Sequence, residues 1–80
     1  MNAKSSKAIT SIGKSIANIN KQLEALKEEY PDAMMYVEDG TQYNVMSGRP
    51  HVDVGLSLPE RRPDRILATF YVNHSECGAW

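Results

Sequence analysis

An unbroken apolar stripe runs along the first third of the chain. Ile9, Ile12, Ile16, Ile19, Leu23, Leu26 and Tyr30 alternate spacings of three and four, the a/d pattern of a long amphipathic helix. A helix of this kind has one face that must be covered, by the rest of the chain or by another copy. The stripe constrains architecture and names no chemistry.

The helix is expected over about residues 5–29, capped by Ser5 or Ser6 and stopped at Tyr30 by Pro31, because a proline disfavours helical geometry in the residue before it. Gly13 inside it costs up to about 1 kcal/mol relative to alanine, which marks a close approach of another backbone. After Pro31 the period changes to two. Residues 33–38 and 41–47 flank Asp39-Gly40, the preferred centre of a two-residue type I′ hairpin. That turn predicts Glu38 opposite Thr41, Tyr36 opposite Tyr43 and Met34 opposite Val45, all on one apolar face.

Residues 51–58 alternate, with Val52, Val54, Leu56 and Leu58 inward, and residues 65–73 place Ile66, Ala68, Phe70 and Val72 inward. Residues 59–64 read as a charged loop and 74–80 as a tail ending in Trp80. The expectation is one α+β domain over residues 1–80, the helix packed across one face of a four-stranded antiparallel meander. The e and g positions Ala8, Gly13, Ser15, Asn20, Gln22, Lys27 and Glu29 are mostly small or neutral, which favours packing on the chain's own sheet. A helix of about 37 Å nevertheless overhangs a sheet about 15–20 Å wide, so a homodimer through the helix is expected to cover the excess.

Eighty residues with a single cysteine, Cys77, exclude an intramolecular disulfide and a disulfide-stapled scaffold. No apolar run reaches transmembrane length, no secretory signal is read at the start, and a reduced cytoplasm is the expected location. The net charge of −1 argues against whole-domain attraction to nucleic acid or membrane. Its distribution is uneven. Lys4, Lys7, Lys14 and Lys21 occupy residues 1–21 without an acid, whereas Glu24, Glu28, Glu29, Asp32, Glu38 and Asp39 follow with Lys27 alone. This polarity opposes the helix macrodipole.

His51, Asp53, His74 and Cys77 have metal-ligand chemistry but lack the paired ligands of structural zinc, so neither metal nor cofactor is assigned. No nucleophile–base pair, carboxylate pair or phosphate-cradling glycine motif is present in the sequence, and an enzyme is not expected. Lys7, Lys14 and Lys21 form a straight row on the helix f stripe; Arg61, Arg62 and Arg65 make a second basic cluster. The outer sheet face carries Met35, Val37, Met46, Leu67 and Tyr71 among polar residues, more like an interaction surface than a solvated one.

The expected function is therefore binding. The chain is similar in kind to small phage and mobile-element inhibitors, anti-CRISPR proteins among them, which occlude the surface of a host protein or protein–nucleic-acid complex; the analogy is one of size and style. The acidic set Glu24, Glu28, Glu29, Asp32, Glu38 and Asp39, with Met46 and Tyr71, is the expected contact. The alternatives are a nucleic-acid-binding accessory protein using the Lys and Arg rows, or a sponge that sequesters a small nucleotide.

Overall fold

The computed structural model describes residues 1–52 and 60–78. Helix α1 (Ala3–Leu26) starts two residues earlier than the serine caps predict. Asn2 is extended and its Oδ1 accepts the Ser5 N–H at 2.8 Å, satisfying one of the free donors of the first turn. The far end tightens before Pro31: Glu28 N–H donates to Ala25 O and Glu29 N–H to Leu26 O, both three residues back. The chain then reverses through Pro31-Asp32, closed by Ala33 N–H to Tyr30 O at 2.9 Å, with proline where a β-turn favours it.

Five strands follow: β1 (Met34–Glu38), β2 (Gln42–Met46), β3 (His51–Val52), β4 (Glu60–Arg61) and β5 (Ile66–Tyr71), with a 3₁₀ turn at Pro63–Arg65 before the last. They do not make a four-stranded meander. Among the described residues one antiparallel sheet has the order β1-β2-β5, and β3 pairs with β4 in a separate ladder. Strand β5 occupies the free edge of β2, the position a third meander strand would need. Prolines 50 and 63 bracket the β3–β4 pair and cannot donate to a continuous ladder. The expected strand over 51–58 is described only at its first two residues, so the inward positions Val54, Leu56 and Leu58 lie outside the described residues.

The hairpin forms where Asp39-Gly40 predicts, with both residues at positive φ, 53° and 72°. Its register differs. Glu38 pairs with Gln42, Val37 with Tyr43, Tyr36 with Asn44, Met35 with Val45 and Met34 with Met46. The connection therefore has three residues, Thr41 included. The carbonyl of Thr41 is engaged elsewhere, accepting the Val72 N–H at 2.9 Å and so extending the pairing to β5. One residue of slip turns the β2 side chains over relative to those of β1. Met34, Tyr36, Asn44, Met46 and Thr69 now share one face, and Met35, Val37, Tyr43, Val45, Ala68 and Phe70 share the other. A bulge between Val45 and Met46 lets Met46 pair with Ile66, with Leu67 as the extra residue.

The core lies on the first of these faces, beneath the segment carrying β3 and β4. Met46 is 2% exposed and Asn44 fully buried. Asn44 Oδ1 accepts from Thr69 Oγ1 at 2.8 Å and Gln42 Nε2 at 3.2 Å. The overlying segment is tied to the sheet by an Arg61–Glu38 ion pair and an edge-on packing of the Tyr36 and His51 rings.

Helix α1 does not cover the sheet. None of its residues is buried; Leu23 and Leu26 reach half-burial, and Ile9, Ile12, Ile16 and Ile19 are exposed. The seam is longer than the sheet beside it, and the molecule is correspondingly elongated at 54 × 33 × 18 Å. A Cβ placed on Gly13 would meet nothing within 4 Å, so the close approach that this glycine predicts is absent among the described residues.

Candidate interaction surfaces

Three surfaces emerge. The first is the helix seam, where Ile12 is 62% and Ile19 37% exposed. Lys7, Lys14 and Lys21 lie on the opposite stripe, also exposed, so the basic row and the apolar seam point away from each other.

The second is strand β5. Among the described residues it pairs on one side only, with β2, and it presents Leu67, Phe70 and Tyr71, followed by Val72, all exposed. Tyr71, at 68% exposure, is where the sequence reading placed it. Phe70 and Val72 were expected inside, under the helix. They are outside because the helix does not cross this face. No feature of the sequence short of the helix position distinguishes them from core residues.

The third is polar. The acidic set does not form one patch. Glu28, Glu29 and Asp32 are exposed together at the end of the helix and the following turn. Glu38 and Asp39 lie at the other end of β1, about 14 Å along the strand, and Glu38 is committed to Arg61. Glu24 pairs with Lys27 at 3.7 Å. Met46 leaves the contact set altogether: the one-residue slip and the overlying segment bury it.

The arginine cluster is likewise consumed by neighbours. Arg61 holds Glu38; Arg62 donates to both Asp64 oxygens at 3.0 and 2.9 Å; Arg65 donates to the Arg49 carbonyl at 3.0 Å. The hydrogen bonds from Arg62 hold the Asp64 carboxyl below its ordinary range, and the same bonds and the Asp64 charge raise the Arg62 guanidinium. A shallow groove of about 1040 Å³ beside these residues is lined by Lys27, Arg49, His51, Arg65, Asp32 and Tyr36, among others.

Compared with protein-family models, curated proteins and solved structures, the chain matches none.

The remaining sequence candidates do not converge. Asp53 lies outside the described residues, His51 packs on Tyr36, and Cys77 is an exposed free thiol. Among the described residues no group of three or more His, Cys, Asp or Glu side chains is placed to hold a metal ion, and no helix is long and apolar enough to cross a membrane. The tail instead packs on the hairpin. Tyr43 and Ser75 join their hydroxyls by a hydrogen bond, and a Cβ on Gly40 would lie 2.5 Å from Cys77 N and 2.7 Å from Glu76 Cα.

Proposed function

We propose that the chain acts by binding a protein and occluding its surface, with β5 as the contact. The observation that carries this reading is the run of exposed apolar side chains on a strand that, among the described residues, pairs along one edge only: Leu67, Phe70 and Tyr71, followed by Val72. An edge strand offers a row of backbone donors and acceptors, and natural proteins ordinarily blunt such edges with charge or proline. Here the edge carries two aromatic rings instead, the residue class that anchors protein interfaces. A partner strand laid beside β5 would gain backbone pairing and contacts with both rings, since Phe70 and Tyr71 point to opposite faces.

The exposed carboxylates Glu28, Glu29 and Asp32 supply charge steering toward a basic partner. The activity this implies is that of a small cytoplasmic inhibitor of the kind phages and mobile elements direct at host machines, working by steric block and not by catalysis.

The test is capture of partners on the immobilised chain with and without nuclease. The reading expects a nuclease-resistant protein that Phe70→Ser with Tyr71→Ser loses by about tenfold or more. Glu28→Lys with Glu29→Lys and Asp32→Lys should slow association severalfold, with a salt dependence set by a screening length of about 8 Å. Co-purified nucleic acid, lost when Lys7, Lys14 and Lys21 are reversed, would replace this reading with the accessory-protein one. A heat-released nucleotide would replace it with the sponge.

A further inference from the structure

We infer that the helix seam is an interface between two copies of this chain, paired antiparallel and centred on Ile12 and Ile16. This inference does not rest on the function proposed above, which uses β5.

Area points to a second copy. A compact monomer of 8.9 kDa exposes about 4,800 Å², whereas this chain exposes 6697 Å². The excess, roughly 1,900 Å², falls within the about 1,000–2,500 Å² that each protomer of an obligate dimer buries. The radius of gyration agrees, at 15.8 Å against about 11.6 Å for a compact domain of this length. Four of the exposed large apolar residues, Ile9, Ile12, Ile16 and Ile19, lie on this one stripe, and a seam at a/d spacing fits another seam of the same spacing.

Gly13 is the second observation. In the interior of an exposed helix it is less favourable than alanine, and among the described residues nothing lies within 4 Å of a Cβ placed there. It lies beside the seam, one residue after Ile12, with Ser15 on the other flank. A neighbouring helix crossing there would find no side chain in its way.

Orientation follows from charge and from residue type. Side by side in parallel, two helices would bring lysine-bearing halves together and acid-bearing halves together. Antiparallel, the lysine-bearing half of one helix lies along the acid-bearing end of the other, and the two macrodipoles also oppose. Ile12 then faces the second copy's Ile16, and Ile9 its Ile19. Isoleucine at both a and d would draw a parallel arrangement toward trimers or tetramers. The two sheets leave from opposite ends of the pair, so β5 stays open on each.

Sedimentation equilibrium of the full chain across the micromolar range is the test. The expected mass is twice the 8.9 kDa of one chain. Ile12→Glu with Ile16→Glu should give a monomer that keeps the sheet's urea transition. Gly13→Gln should weaken dimerisation by about tenfold or more while leaving helical circular dichroism undiminished, since glutamine is the better helix former. Phe70→Ser with Tyr71→Ser should remain dimeric. In a Cys77→Ser background, spin labels on Lys4→Cys should lie about 30 Å apart in the antiparallel pair. A label distance near 10 Å, the spacing of parallel neighbours, overturns the proposal. So does a wild-type monomer at 100 µM (about the upper end of the range), a trimer, or a Gly13→Gln variant that dimerises as well as wild type.

Discussion

The helix and the sheet are both amphipathic, and only one of them is covered. On the sheet, Met46 and Asn44 are buried because the β3–β4 segment folds back over them within a short stretch of chain. On the helix no residue is buried, and Ile9, Ile12, Ile16 and Ile19 are exposed despite their regular spacing. An amphipathic pattern specifies which face wants cover; the connections decide whether the same chain can supply it. The turn at Pro31-Asp32 brings only the last part of the stripe toward the sheet, and Ile9, Ile12, Ile16 and Ile19 stay exposed.

This contrast is open to attack from both sides. The largest effect belongs to the sheet core: Met46→Ala should destabilise the fold by about 2–4 kcal/mol, the usual range for a buried methionine, read from urea midpoints. Gly40→Val should come next. Its positive φ alone costs on the order of 1–2 kcal/mol in a residue with a Cβ, and the tail backbone must also be displaced. Gly48→Ala is the control, because a Cβ there meets only ordinary contacts of 3.6 Å or more, and it should stay near wild type.

On the helix the effect should be smaller still. Ile16→Asp, followed at concentrations where the chain is monomeric, should move the sheet's transition by less than about 0.5 kcal/mol, as surface substitutions do. Global unfolding by Ile16→Asp would erase the contrast and return the stripe to the core. The smallest effect is electrostatic. The carboxyl of Asp64 is held below its ordinary range by Arg62, so the pair contributes above the unfolded-state value of about 3.9 and is lost as pH falls through the lower folded-state value. Asp64→Asn should therefore be slightly less stable than wild type at pH 7. The two urea midpoints should converge as the solution is acidified below that window.

The helix and the hairpin were legible in the sequence because each rests on local rules: the three-and-four spacing with Pro31 as a stop, and Asp39-Gly40 as a pair that accepts positive φ. What was not legible depended on distant partners. The hairpin register turned on the Thr41 carbonyl, which is held by Val72 from the other end of the chain. The error this causes is systematic: it turns β2 over relative to β1, and places Asn44 and Met46 outside when they lie within. Leucines and isoleucines at a/d positions fix a face but carry no label for its partner, so packing on the sheet read as well as pairing with another copy. Among the exposed residues of β5, the exposure of Tyr71 was legible from alternation. Phe70 and Val72 were not, because their exposure follows from where the helix goes.

The contact between the tail and the hairpin turn gives the fold an order in time. Strands β1 and β2 are neighbours in sequence and can zip as soon as both have been synthesised. The hydroxyls of Tyr43 and Ser75 are 32 positions apart, and closing a ring of that length carries an entropic cost of about 3 kcal/mol before any constant is added. That cost predicts a tail that docks after the hairpin has formed, an order that pulsed hydrogen exchange would check. Residue 40 is a glycine for a turn that forms early, and also for a guest that comes late.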